Sequence, residues 1–121
     1  MSTLRDHLGR LLTVPGVRAA VVVGREGLPV DAAGRGDQRF FDALGALGAS
    51  ALGTTEALGH DLDTGATVGT LLEFDGGFVS IDPLGEFAAV VTLADGPASL
   101  TGIRQLVRGA RADLLRALDT L

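Results

Sequence analysis

The sequence predicts an α+β fold in which a central five-stranded antiparallel sheet lies between helices, in the order α-β-β-α-β-β-β-α. Three observations carry this. Leucine-rich stripes at helical spacing open and close the chain: Leu4, Leu8, Leu11 and Leu12 at one end, Leu100, Ile103, Leu106, Val107, Ala110, Leu114, Leu115 and Leu118 at the other. Short apolar runs rich in branched residues alternate with Gly-, Pro- and Asp-bearing turns. Between them lies Asp42 to Gly59, DALGALGASALGTTEALG, helical in spacing, small in its side chains, and charged only at Glu56 after Asp42. A helix that merely covers its own core turns a charged face to water. This one reads as built for close approach on more than one side.

Taken in order, Ser2 or Thr3 caps a first helix running to about Thr13, with Asp6 near its positive end. Val14-Pro15-Gly16-Val17 stops it. Arg18 to Val23 reads as a buried strand, and Gly24-Arg25-Glu26-Gly27 as the turn into a short strand, Leu28 to Ala32. Pro29 cannot donate to a ladder, which puts that strand at a sheet edge. Asp37 is the N-cap expected for the middle helix, whose length carries Phe41, Leu44, Leu47, Ala51, Leu52 and Leu58. Gly45, Gly48 and Gly53 each cost about 1 kcal/mol relative to Ala in a helix. Such a helix is held by packing, or is two shorter helices kinked near Gly53-Thr54. Asp61 to Ala66 is a turn, Thr67 to Phe74 a strand, Asp75-Gly76-Gly77 a hairpin turn, and Phe78 to Asp82 the next strand. Pro83-Leu84-Gly85 then turns the chain into Glu86 to Leu93, and Asp95-Gly96-Pro97 leads to a last helix from near Ser99 to Leu118.

A chain of 121 residues suits a single domain over 1–121. The formal charge is -5, there is no Trp or Tyr, and Lys/Arg residues cluster only in the last helix, which argues against nucleic acid as a partner. The longest wholly apolar stretch, Ala19 to Val23, is far short of the roughly 20 residues of a membrane span, so no membrane insertion is expected. The absence of cysteine excludes disulfides and thiolate zinc sites and agrees with a cytoplasmic setting.

Several pieces resemble one family in their order and spacing. These are the opening amphipathic helix, Pro15-Gly16-Val17 with the strand Ala19 to Val23, and Gly27-Leu28-Pro29. The Ala-rich middle helix, the strand-turn-strand around Gly76-Gly77, Pro83-Leu84-Gly85, the Leu93 to Pro97 strand end and the final helix continue the likeness over almost the whole chain. The family is Roadblock/LC7, the dynein light chain type, with bacterial MglB-like members. The resemblance implies a profilin-like fold with no catalytic centre or cofactor. It also implies a homodimer whose middle helices pack side by side and whose third strands pair into one sheet. It further implies that MglB-like members bind small Ras-like GTPases and stimulate GTP hydrolysis without supplying a catalytic residue. Related eukaryotic domains serve dynein or scaffold GTPases in lysosomal signalling. Some MglB-like members carry more sequence after the last helix, whereas this sequence stops at Leu121, which counts against full activator function.

The residues support a dimer on their own account. Leu28 to Ala32 is a short edge with Pro29, whereas Thr67 to Phe74 carries no Pro or Lys and invites pairing. The interface expected from the middle helix is Leu44, Leu47, Gly48, Ala51, Leu52 and Thr55, and from the third strand Val68, Thr70, Leu71 and Leu72. The alternative is that the small residues fit an internal helix–sheet contact. Of the two strand faces, that of Val68, Leu72 and Phe74 is expected to meet a helix layer.

Candidates for chemistry are few. Asp63-Thr64-Gly65-Ala66 resembles the aspartic protease signature, but it follows a helix end rather than an apolar strand and reads as a turn. His7 reads as a solvated helix residue, and His60 with Asp61 and Asp63 as a polar loop without a metal pattern. Gly24-Arg25-Glu26-Gly27 lacks the lysine and following helix of a phosphate loop. Arg104, Arg108, Arg111 and Arg116 form a basic face of the last helix, suited to solvent or to an acidic protein surface. Arg25, Arg35 and Arg39 are exposed by position, and the resemblance gives none of them an arginine-finger role. The function expected is a non-enzymatic homodimeric regulator or scaffold of a small Ras-like GTPase. The alternative is a scaffold in another signalling or motor complex, for instance beside a sensor kinase, with no effect on GTP turnover.

Overall fold

The computed structural model describes residues 3–120. Its elements are α1 (Leu4–Leu11), β1 (Val17–Gly24), β2 (Pro29–Gly34), α2 (Gln38–Asp61), β3 (Thr70–Phe74), β4 (Gly77–Leu84), β5 (Ala88–Ala94) and α3 (Leu100–Asp119), with a 3-10 turn at Pro97–Ser99 before α3. The order is the one expected. All strand pairs are antiparallel and the sheet order is β2-β1-β5-β4-β3, so β2 and β3 are its edges.

Alternation along the strands divides the apolar residues between two layers. Ala20, Val22, Phe78, Leu84 and Val90 meet Leu4, Leu8 and Leu11 of α1 and Ile103, Val107 and Leu114 of α3. On the other face Val21, Val23, Ile81, Ala89 and Val91 meet Ala49 and Leu52 of α2. Because β1 and β5 are covered on both faces, they read as continuous apolar runs rather than alternating ones.

Local chemistry fixes the helix ends. Thr3 accepts from the Asp6 N–H at 3.1 Å while the Asp6 carboxylate accepts from the Thr3 N–H at 3.0 Å, a reciprocal cap that also holds Asp6 below the usual carboxylate range. Ser2, the other cap candidate, lies outside the described residues. Asp37 caps α2 through the Phe40 N–H at 2.9 Å.

The middle helix is continuous over 24 residues, without the kink considered at Gly53-Thr54. Its glycines have a packing reason. A Cβ on Gly48 would lie 2.6 Å from Val91 Cγ2, and one on Gly45 would lie 3.2 Å from Val23 Cγ2. The helix therefore sits closer to the sheet than a side chain would allow.

Several boundaries differ from expectation: α1 ends at Leu11 rather than about Thr13, β1 spans Val17–Gly24 rather than Arg18 to Val23, and β2 spans Pro29–Gly34 rather than Leu28 to Ala32. β3 begins at Thr70 rather than Thr67 and β5 at Ala88 rather than Glu86, which leaves Phe87 81% exposed in the turn. β4 continues through Pro83 to Leu84. Proline is tolerated there because β3 ends its pairing at Ile81, so β4 has no strand on that side at Pro83. His7 is also corrected. It is only 4% exposed, packed between α1 and α3, where Arg10 Nη1 donates to its Nδ1 at 3.2 Å. Its place on the inner stripe one residue before Leu8 accounts for this.

Candidate interaction surface

The two sheet edges are not alike. β2 begins with Pro29, and Arg5 of α1 reaches Asp31 at 2.6 Å, an ion pair that blunts this edge. The guanidinium's hydrogen bond holds the Asp31 carboxyl below its ordinary range. β3 has no such guard. Cross-strand partners share a face, so Leu72, opposite Val79, and Phe74 belong to the α2 side of the sheet. There Val79 packs against the α2 core, but Leu72 is 37% and Phe74 63% exposed. The helix layer stops short of the β3 edge.

The outward side of α2 continues this apolar ground. Ala43, Leu47, Ser50, Thr54, Ala57 and Leu58 are exposed at helical spacing, and Ala46 and Gly53 lie exposed among them. Leu47 alone is 71% exposed. No charge interrupts residues 43–55. The hydroxyls of Thr54 and Thr55 donate back to the carbonyls of Ser50 and Ala51 at 3.2 and 2.8 Å, which removes two donors from the surface. A helix face without charge, whose exposed hydroxyl donor is reduced to Ser50, is poorly matched to water.

The residues expected at an interface therefore separate. Leu47, Val68 and Leu72 are exposed, and Leu44, Ala51, Thr55 and Thr70 are half-buried. Leu52 and Gly48 face the sheet instead: Leu52 has no exposed surface and Gly48 sits against Val91. For these two the internal helix–sheet contact is the correct reading, because close packing of α2 on β5 consumes them. Leu71 rather than the Leu72 face meets a helix layer, packing against the α1–α3 core on the side of Phe78 and Ser80. Phe74, Leu58 and the stripe through Ala43, Ser50 and Thr54 were not in the expected set. The four- and three-residue spacing of that stripe was the available signal.

The remaining candidates are structural. Arg25 is not a free surface arginine: it pairs with Glu56 of α2 and donates to the carbonyls of Ala88 and Gly85 at 3.1 and 2.9 Å, tying the β1–β2 turn to two other elements. Asp63 takes φ 56°, and the Thr64 N–H closes on the Gly59 carbonyl at 3.0 Å, so Asp63-Thr64-Gly65 is the turn that ends α2. His60 and Asp61 are both exposed, 3.6 Å apart. Among the described residues no group of three or more His, Asp or Glu is placed to hold a metal ion, and no helix is long and apolar enough to cross a membrane.

Known structures share this architecture. The chain superposes on a Roadblock/LC7 domain from Streptomyces avermitilis with TM-score 0.79 and 23% identity, covering 92% of this chain and 97% of that one. For the gliding protein MglB from Thermus thermophilus the values are 0.81 and 21%, over 97% of this chain and 89% of the other. For Myxococcus xanthus MglB they are 0.81 and 16%, over 99% and 100%. At such identities the likeness establishes the fold. No curated protein matches the sequence. The Roadblock/LC7 domain model matches residues 3–94, from the Thr3 cap through the last strand, well over half of the sequence. The chain belongs to the Roadblock/LC7 domain family.

Proposed function

We propose that this chain is a non-enzymatic homodimeric scaffold that binds a small Ras-like GTPase and regulates its GTP hydrolysis. The observation that carries the reading is the uncharged outward face of α2 beside an unguarded β3 edge. A twofold axis beside β3 would join the two β3 strands and bring two α2 faces together over Leu72 and Phe74. Leu44, Leu47, Ala51, Thr55, Val68, Thr70 and Leu72 then line or border the seam. The part of the α2 platform left open receives the partner. Nucleotide, Mg2+ and catalytic groups come from the GTPase, and the scaffold acts by ordering its switch loops.

The test has two arms. Sedimentation of the purified chain reads the dimer, and Phe74→Asp, which places a carboxylate in the seam without disturbing a buried side chain, shifts it to monomer. A Ras-like GTPase purified from the source cells is then retained by the immobilised chain with a GTP analogue bound and not with GDP, and its hydrolysis rate rises on addition of the chain. Retention in neither nucleotide state defeats the GTPase reading. A complex of the dimer with a GTPase whose hydrolysis rate does not change leaves a scaffold without activator function.

A further inference from the structure

The α3 side of the β3 edge carries a charge pattern that one chain leaves incomplete. Asp82 of β4 is buried on that side, 6% exposed, with Ser80 Oγ donating to it at 3.2 Å. Burial pushes its carboxyl up, against the pull of Arg104, Arg108 and Arg111 around it. None of the three closes an ion pair with it or with any other described carboxylate. Arg111 donates to the Pro83 carbonyl at 2.7 Å, but the side chains of Arg104 and Arg108 make no hydrogen bond among the described residues, and Arg104 Nε is buried without an acceptor. The β3–β4 register, extended by one residue, sets Gly69 opposite Asp82. A Cβ there would lie 3.7 Å from Arg104 Nη2. The bare glycine thus leaves the Arg104 guanidinium lying over the start of the open edge.

At the other end of β3, Glu73 and Asp75 are exposed, and their side chains make no ion pair or hydrogen bond among the described residues. Glu73 shares the face of Leu71 and Gly69, the α3 side. It cannot reach Arg104 in its own chain, because four residues of strand separate it from Gly69, about 13 Å. Across a twofold axis perpendicular to the sheet, each face stays on its own side, so only registers that pair like-facing residues are allowed. The register that pairs all of β3 sets Thr70 against the partner's Phe74, and so brings the partner's Asp75 opposite Gly69 and the partner's Glu73 diagonal to it. A slip of two residues puts the partner's Glu73 opposite Gly69. Either places a carboxylate beside the unsatisfied guanidinium.

We propose that Arg104, with Arg108 beside it, receives the partner's Glu73 and the partner's Asp75, and that these symmetric ion pairs hold the two β3 strands together. The inference rests on the homodimer proposed above. It gives a surface edge the charge complementarity that steers association and rejects wrong partners.

Charge exchange between subunits tests it with the full chain. Glu73→Arg alone and Arg104→Glu alone each set like charges across both symmetric contacts and weaken the dimer constant about tenfold in sedimentation equilibrium. Mixing the two variants restores association at the wild-type constant, because in the mixed dimer both contacts again join opposite charges. Circular dichroism checks that each variant is folded. Should Arg104→Glu not fold, Arg104→Gln and Glu73→Gln provide the second reading, a dimer constant that loses its salt dependence. Single reversals that dimerise like wild type, a mixture that does not recover, or neutral variants with unchanged salt dependence overturn the proposal while leaving the dimer standing. A monomeric wild type overturns the dimer itself.

Discussion

Replacing Gly48 with alanine tests the close approach of α2 to the sheet. Helix propensity alone favours the change by about 1 kcal/mol. The added methyl, however, would lie 2.6 and 2.9 Å from the two γ-carbons of Val91, where ordinary contact is about 3.5–4.0 Å. Turning Val91 about χ1 does not clear it, since both branches are already in the way. Nor can Val91 retreat: it is wholly buried in the central strand, between Val21 of β1 and Ile81 of β4. The helix must lift by most of an ångström, and overpacking of this kind costs about 1–3 kcal/mol. With the propensity gain subtracted, a net loss of about 0–2 kcal/mol is expected, against the gain at the control position. Gly109→Ala is the control, in an exposed turn of α3 with nothing within 4 Å, and it gains the full propensity of about 1 kcal/mol. Urea denaturation at one protein concentration reads both, because self-association adds its own stabilisation by mass action. In thermal melts each kcal/mol corresponds to about 3–5 °C for a chain of this size. A Gly48→Ala protein as stable as Gly109→Ala would refute the packing argument, and with it the assignment of Gly48 to the sheet side.

Three further outcomes follow from named contacts. Asp82→Asn keeps an acceptor for Ser80 but carries no charge. Because burial raises the folded carboxyl above its unfolded value, the wild type loses stability as pH rises from the unfolded pKa through the folded one, and the variant does not. The melting difference, variant minus wild type, should therefore grow more positive from about pH 3 to neutrality; a constant difference would dismiss the desolvation argument. Thr3→Ala removes one half of the α1 capping box and should cost about 1 kcal/mol in denaturant unfolding, with Thr3→Ser restoring most of it. Leu47→Asp, on a side chain already exposed, should leave the denaturation midpoint at high dilution within about 0.5 kcal/mol of wild type while weakening sedimentation dimers; a large loss of monomer stability would show that Leu47 is not on a free face.

Legibility in the sequence followed the physics of each signal. Periodicity and turn chemistry are local, so element order, the Asp37 cap and the Pro29 edge could be read directly, and the first cap narrowed to Ser2 or Thr3. Boundaries that depend on a neighbouring strand could not. Pro83 stays in β4 because the β3 pairing stops at Ile81, and β3 itself starts at Thr70 rather than Thr67. His7 looked solvated among Arg5, Asp6 and Arg10, yet the position of α3 buries it. The small residues of α2 announced close approach, and the sequence alone left open to which side.

By itself the sequence determined an α+β domain, a buried first strand through Val23, and a middle helix with almost no charge to offer water. Only the tertiary structure decided how that helix divides its surface. Gly45, Gly48, Ala49 and Leu52 are consumed by the sheet, while Ala43, Leu47, Ser50 and Thr54 remain outside beside the bare β3 edge. Burial is a property of what packs against a residue, and the strands that cover the inner face of α2 come from distant parts of the chain.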